Sequence, residues 1–531
     1  MLLRQINANK CRLANDAICK LMRENIHCIY LITEPYITKY GKIPGLPRNY
    51  SFYGTSSSRA IIIAPTIMPL FMCHELSSKD YTVCLYDDGT SKMFFCSVYL
   101  DQVIREVVSQ QMTTIMDFFE AEKVQAILSL DTNAHSVFWN CDETDSRGSQ
   151  LEEFVITHDL HVLNVGHTPT FQPARYDSAS GRYGTIIDVT LLLGDRRKVQ
   201  NWHVKNENFH SDHKMIEMSL VDKKISDPVV QKVDWNNFLS HLEADLQDLS
   251  YNLWCPDIVE KEAKALAAAI TNALNKSSFS TPQRPKSARW WSNELQQKWT
   301  KVNSLWRESV QRPTDVAKDN YKAAKKALVK DLRRAKRQKW KEFCESIEDP
   351  KSMALFNKVL NSSPYQKVGL LKQSDGTFTR SVKDSINLLM NEHFPDSVNV
   401  PLKGHKKRTS TYNLQNGNFC SRDDLKWSYI TEDKVSLAIN SFGCFKASGL
   451  DGFKPIHLKY FIKNKIALKR LTMLFRAIVE LGYTPNSWCE AKIIFIPKPG
   501  KKDYSEVRSF RPISLLSFLL NSIERLADWE I

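Results

Sequence analysis

Six short segments between Gln5 and His213 each set a polar side chain at or near an apolar run. They are Gln5-Ile-Asn7, Thr33-Glu34-Pro35, Ser97-Val-Tyr99, Asp131-Thr-Asn133, Asp188 within Thr185-Ile-Ile-Asp188-Val-Thr190, and Ser211-Asp212-His213. Carboxylates, amides, a phenol and an imidazole are the groups that phosphodiester cleavage requires. The reaction needs a cation to neutralise phosphate charge, a carboxylate or base to activate water, and donors for the developing oxygens. Singly, each has a plainer reading: a lone Glu at a strand end is a surface turn, an Asp or Asn after a strand is a cap, and His213 is a satisfied structural histidine. Their occurrence together, in this order, is what points to chemistry.

The elements that must position these groups are short strands alternating with helical stretches. Apolar or β-branched runs at 28–31, 60–64, 93–100, 126–130, 161–164, 186–193 and 215–220 predict strands, with Gln5–Asn7 closing a first one. Helical periodicity covers 10–24 and 103–120. The alternation predicts an α/β domain over residues 1–221, with polar groups at strand ends, where such folds place their chemistry. From about Lys223 to Ile430 the pattern changes to long polar helices, with the boundary at the Asp227-Pro228 turn. Trp290, Trp291, Trp299 and Trp306 stand there in a basic amphipathic setting, and residues 322–341 hold ten Lys/Arg and one acid, Asp331. Such a run suits either a solvated helix face or nucleic-acid contact. Residues 401–418, rich in Lys, Ser, Thr and Asn, read as a linker, and 431–531 resume a compact helix–turn–helix–strand pattern.

In combination the six segments resemble the endonuclease/exonuclease/phosphatase superfamily, and within it the apurinic-type endonucleases of Jockey-like non-LTR retrotransposons. The runs from Gln5 to Arg12, Asp145 to Phe154 and Leu163 to Phe171 look like blocks of those elements. The resemblance implies a four-layer α+β sandwich, two packed sheets flanked by helices. It implies Mg²⁺, with Mn²⁺ as the alternative, held by Glu34 with Asn7 beside it and Asp212 close to the metal or phosphate. It further implies that Asp131 activates the attacking water and Asn133 orients it, that His213 held by Asp188 stabilises phosphate charge or the leaving group, and that Tyr99 donates to the phosphate. The sequence departs from the family at Thr33, Leu130 and Asp101-Gln102, where Gln, Gly and prolines are usual; none of these removes a catalytic group.

Farther on, Phe445-Lys-Ala-Ser-Gly-Leu-Asp-Gly452, Ile494-Phe-Ile-Pro-Lys-Pro-Gly-Lys501 and Ser509-Phe-Arg-Pro-Ile-Ser-Leu-Leu516 resemble the opening blocks of non-LTR reverse transcriptases. The resemblance implies a partial α+β fingers region over 431–531, after a mostly helical basic connector at 222–430, and places Lys498 and Arg511 near triphosphate or template. The chain contains no Tyr-x-Asp-Asp, so the palm carboxylates of that family are missing from it and polymerisation is not expected.

Charge supports the same division. The chain carries a net +14, with 21 Lys/Arg against 25 Asp/Glu in residues 1–220 and 52 against 34 in the remainder. A mildly acidic half suits carboxylates gathered round a cation, and a basic half attracts polyanions. The twelve cysteines fall in no zinc or disulfide spacing, and the longest apolar run, 60–73, is too short for a membrane span and holds two prolines. An intracellular, non-membrane protein acting on target DNA in the nucleus, with element RNA as a second partner, is expected. Two other readings compete: an inert nucleic-acid-binding relic, and a lipid or inositol-phosphate phosphatase of the same superfamily.

Overall fold

The computed structural model describes residues 1–25, 27–172, 184–221, 229–247, 253, 255–282, 288–312, 314–347, 353, 368–395, 430–498, 501 and 503–530. The linker read at 401–418 lies outside them. The chain divides into two compact units, Met1–Asp227 with Arg284–Glu392 and Pro497–Phe510, and Pro228–Gln283 with His393–Ile496 and Arg511–Ile531.

The first unit is built on twelve strands: β1 Leu2–Asn7, β2 Cys28–Thr33, β3 Tyr50–Tyr53, β4 Ala60–Pro65, β5 Leu70–Met72, β6 Tyr81–Asp87, β7 Lys92–Tyr99, β8 Ala126–Asp131, β9 His161–Val162, β10 Asp188–Leu193, β11 Val199–Val204 and β12 Ile216–Leu220. They form two mixed six-stranded sheets, ordered β11-β12-β1-β2-β4-β3 and β5-β6-β7-β8-β10-β9. Each has one parallel pair, β1 with β2 and β7 with β8. The inner faces meet in a core that includes Leu3, Leu31, Ile62, Phe95, Ile127, Leu192 and Met218. Strands buried on both faces read as continuous apolar runs, which is why β2, β4 and β8 were visible in the sequence.

Helices cover both outer faces. On the second sheet lie α2 Gln110–Glu122 and α3 Ser146–Thr157, contributing Met112, Ile115, Phe119, Leu151 and Phe154 to its outer core. On the first lies α1 Arg12–Glu24, joined by the helices Asn293–Gln311 and Asp315–Glu345, whose Leu295, Trp299, Val302, Leu328 and Leu332 enter the same core as Ile6, Ala17, Ile61 and Met215. The expected four layers are thus present, and part of the basic stretch completes one of them.

Differences from the expected elements are local. Helix α2 starts at Gln110 because the Ser109 side chain accepts from the Met112 N–H and caps it, leaving 103–109 outside the helix. Helix α3 and strands β3, β5, β6 and β11 were not anticipated.

The second unit is mainly helical. Helices Trp235–Asp245, Pro256–Ser277, Glu432–Asn440, Pro455–Phe461, Lys465–Leu481 and Phe518–Glu530 share one core that includes Phe238, Leu266, Ile270, Phe461, Leu471, Phe475 and Leu526. Within it Glu262, fully buried, receives both forks of Arg470 at 2.8 Å, the bidentate pairing that makes a buried carboxylate tolerable. Strands Val229–Val233 and Ser278–Pro282, absent from the sequence reading, pair antiparallel in this unit. Gly449, in the first polymerase-like block, packs so tightly on Leu516 that a Cβ would lie 2.8 Å from its carbonyl carbon. No described helix is long and apolar enough to cross a membrane.

Candidate active site

Strand register brings the polar ends together. In the first sheet Asn7 lies opposite Thr33, the residue before Glu34. In the second, Asp131 lies opposite Tyr99 on one side and Asp188 on the other. Strand β12 runs antiparallel to β1 with Ile216 opposite Gln5, so the preceding segment Ser211–His213 passes the end of β1. Residues from six separated segments therefore reach one rim of the sandwich.

The sheets are tied at that rim by buried hydrogen bonds. Gln5 donates to the Leu130 and Val189 carbonyls at 3.2 Å and accepts from the Thr190 hydroxyl at 2.7 Å. Asn7 donates to Asp131 Oδ2 at 2.6 Å and to Glu34 Oε2 at 3.3 Å, while its own oxygen accepts from the Asn9 N–H at 2.6 Å. Asn7 thus draws two carboxylates onto one amide and presents its N–H to them. Glu34 Oε1 faces the ammonium of Lys10 at 3.1 Å. Glu34 and Asn133 hold left-handed backbone, with φ of 43° and 46°, and Asn133 Nδ2 donates to the Leu100 carbonyl at 3.0 Å. Non-glycine residues in that region are strained, and strain of this kind concentrates where side chains must be aimed.

His213 is buried against Asp188, Nδ1 to Oδ2 at 2.8 Å, with the Phe171 ring at 4.9 Å. Burial opposes charging the imidazole, but the Asp188 carboxylate more than offsets it and carries the group up to about 9. The Asp188 backbone is fixed in turn: its N–H and that of Ile187 donate to Thr170 Oγ1 at 3.0 and 3.1 Å. Asp131 is pushed well above the ordinary carboxylate range, first by burial and then by the charge of Asp188. Burial, with the charges of Glu34 and Asp131, pushes the Tyr99 phenol up to about 12, which keeps it a donor. Asp212 accepts from Asn9 Nδ2 at 2.8 Å and from Ser211 Oγ at 3.3 Å, and Ser211 also donates to the Asn7 carbonyl at 2.7 Å.

The residues present fit a divalent cation. Carboxylate oxygens of Asp131 and Asp188 lie within 4.8 Å of each other. Among the described residues, Asp131 Oδ1 and Asp188 Oδ1 are buried without a hydrogen-bond partner. Uncompensated carboxylate oxygens are costly, and hard oxygen donors are what Mg²⁺ or Mn²⁺ bind. Asp131 also stands beside Glu34 through Asn7, so it is common to both carboxylate groupings.

A cleft of about 440 Å³ is lined by Asn7, Glu34, Tyr99, Asp131, Asn133, Asp212 and His213, with Asp188 directly behind the histidine. All eight residues singled out from the sequence for nuclease chemistry are therefore gathered here. Neither polymerase candidate is among the residues lining this cleft: Lys498 donates to the Arg508 carbonyl at 2.9 Å, and Arg511 is exposed on the strand Phe510–Leu515.

Three supporting residues were not assigned roles from sequence. Arg147 bonds the carbonyls of Asn133 at 2.9 Å, Thr132 at 3.0 Å and Asp101 at 3.2 Å, clamping the loop that carries Asn133. Arg59 pairs with Asp80 and Asp101 and places its guanidinium 4.7 Å from the centre of the Tyr99 ring. Phe171 packs on His213. Arg147 and Phe171 lie in the blocks 145–154 and 163–171 noted for their resemblance, so a signal existed, but not one that named a partner.

Comparison with known proteins bears out the resemblance. Residues 93–217 match the profile of a family described as "Endonuclease-reverse transcriptase". Along 91% of its length the chain is 23% identical to the Pol polyprotein of the type-1 retrotransposable element R1 of Bradysia coprophila, covering 49% of that protein. Along 94% it is 24% identical to the RNA-directed DNA polymerase of the mobile element jockey of Drosophila melanogaster, covering 54%. The chain thus spans about half the length of the curated relatives it matches. Among solved structures, 42% of the chain aligns with 99% of the endonuclease domain of TRAS1, a telomere-specific non-LTR retrotransposon, at 23% identity and a TM-score of 0.37. A second, the AP endonuclease of Leishmania major, aligns with 41% of the chain at 11% identity and a TM-score of 0.35.

Proposed function

We propose that the first unit is a Mg²⁺-dependent endonuclease that nicks target DNA and leaves a 3′-hydroxyl, the primer from which an intact non-LTR element would start reverse transcription in the nucleus. The observation that carries this reading is the convergence of seven polar residues from five separated segments on one cleft, with Asp188 from a sixth ion-paired to the histidine.

A divalent cation bound by Glu34 and neighbouring oxygens would supply neutralisation of the phosphate charge. The chain's own groups do the rest. Asp131 takes a proton from the attacking water, and Asn133, aimed by its strained backbone and by Arg147, orients that water. His213 faces the phosphate as an imidazolium, with Asp188 behind it fixing the orientation of the ring. Tyr99 donates its phenolic hydrogen to a phosphoryl oxygen, and Asn7 spaces the two carboxylates so that both face the cleft.

The test is conversion of supercoiled plasmid to open circle with Mg²⁺ or Mn²⁺. Nicking abolished by EDTA and by His213→Ala is expected; equal behaviour of wild type and variant would sink the assignment. Binding without cleavage would favour the inert relic, and phosphate release from small phosphoesters a phosphatase. For the 531 residues by themselves we propose no polymerisation, because no Tyr-x-Asp-Asp is among them. Primer extension that disappears in Lys498→Ala/Arg511→Ala would overturn this.

A further inference from the structure

A second groove, of about 410 Å³, opens beside the catalytic cleft. Asn9, Asp212 and His213 line both, so the two form one continuous depression within the first unit. Its far wall is the helix Asp315–Glu345, which presents Lys318, Lys322 and Lys325. Their i, i+4, i+7 spacing puts all three on one helical face. Lys214, next to the catalytic histidine, adds a fourth cation from the near wall.

These cations are poorly neutralised. The acids lining the groove are Asp212 and Glu207, and Glu207 faces Lys205 at 3.6 Å. Lys322 faces Asp319 at 3.6 Å with both side chains largely in solvent, where such a pair is weak. Among the described residues Lys214, Lys318 and Lys325 have no carboxylate within ion-pair distance; Lys325 donates to the His210 carbonyl at 3.5 Å and lies over the Tyr321 ring, 5.8 Å from its centre. The wall is anchored: Asn208 donates to the Tyr321 hydroxyl at 3.2 Å, and His210 is buried against Trp299, ring centres 4.6 Å apart. Both ring nitrogens of His210, which also lines the groove, are buried without a hydrogen-bond partner among the described residues. A fixed channel of lysines leading out of a phosphodiester-cleaving cleft has the chemistry of a nucleic-acid backbone track.

We propose that this groove binds the phosphates flanking the scissile one on the DNA strand being cut, so that the helix following the nuclease sheets forms part of its substrate surface. The inference rests on the nuclease reading above and adds to it the element that holds the substrate outside the cleft. The three lysines reach phosphate, not base edges, and act without sequence preference.

The test is equilibrium binding of the full chain to a fluorescent DNA duplex in Ca²⁺, across a salt series, beside plasmid nicking in Mg²⁺. Lys318→Gln/Lys322→Gln/Lys325→Gln is compared with a control of equal charge change on the same helix, Lys326→Gln/Lys330→Gln/Arg337→Gln, none of which lines the groove. Equal melting temperatures establish that both variants are folded. At about 0.9 per phosphate contact, the groove variant should lower the slope of log affinity against log salt by about 2 to 3, with at least a tenfold loss at low salt, and the control by far less. Equal losses in the two variants would overturn the groove while leaving nicking intact. A wild type that shows the groove-dependent slope yet never nicks would overturn the nuclease reading and leave the groove standing. Displacement of the DNA by an equal concentration of single-stranded RNA would refute the assignment to DNA.

Discussion

At the scale of residues, the site is a set of groups whose protonation depends on one another. His213 is carried upward by Asp188, and Asp131 is carried upward by burial and by the same carboxylate. In each case the folded chain holds a proton more tightly than the unfolded one: the contribution of His213 is present below the ordinary imidazole value and is lost as pH rises through about 9, whereas that of Asp131 is present only below the ordinary carboxylate range and is already lost as pH rises through about 7. In EDTA, the stability of the first unit is therefore expected to fall by up to roughly 3 kcal/mol between pH 6.5 and 9. Urea melts at several pH values read this directly, and Asp188→Asn should flatten the slope. The same variant should cut nicking by roughly 100-fold or more, since general acid–base and charge-stabilising groups contribute on that scale; unchanged nicking would show that the histidine works without its carboxylate. Residue types at this scale were legible in the sequence, because a Glu, two Asp and a His at strand ends in this order have few other uses. Their partners were not. Nothing in the linear pattern told that Asn7 would bridge Glu34 and Asp131, or that Arg147 would hold the Asn133 loop by its carbonyls, since each bond joins residues that only the folded register brings together.

At the scale of elements, alignment of the strand ends decides what the site can do. Doubly buried strands such as β2, β4 and β8 announced themselves as unbroken apolar runs. Strand β11, with no buried residue, did not, because its exposed Gln200, Asn201 and His203 suit a loop equally well. Helix α3 was missed although Asp145 caps it, accepting from the Gly148 N–H at 2.6 Å. The capping block also contains the position that fixes the helix against the loop that carries Asn133. A Cβ on Gly148 would lie 1.8 Å from the His135 carbonyl oxygen, so any side chain there must push α3 away from residues 132–135. Arg147, one residue earlier, would lose its grip on Thr132 and Asn133 with that movement. Gly148→Ala should cost about 1–3 kcal/mol, in the range of overpacked cores, and should lower nicking more than a stability loss of that size explains. Denaturant midpoints beside nicking rates under fully folded conditions would separate the two effects; wild-type nicking by a destabilised variant would show that the clamp does not aim Asn133.

At the scale of the molecule, the linear order of segments and their packing diverge. The sequence suggests a nuclease, a basic helical connector and a fingers region in succession. In the fold, helices from 235–277 share a core with helices beyond 430, while the helices at 293–345 finish the outer layer of the first sheet. Local periodicity identifies helices but not their partners, and here the partners lie far apart in sequence; Lys336, for example, pairs with Asp16 at 2.6 Å. The tryptophans show what basic surroundings conceal: Trp299 is buried on α1 and the first sheet, and Trp290 and Trp291 pack beside it. Lysines on the same helical pair remain outside, so one pair of helices supplies apolar cover inward and positive charge outward. This arrangement predicts that integrity of the nuclease depends on residues some 80 positions beyond its last strand. Trp299→Ala in the full chain should destabilise the first unit by about 3–5 kcal/mol, as for other large buried side chains, and leave the second unit's own core untouched. Thermal inactivation of nicking, followed beside the helical signal of the whole chain, should then show activity lost at a lower temperature than most of the helix content. If activity and the full helical signal still melt together at the wild-type temperature, Trp299 is not part of the layer that supports the site.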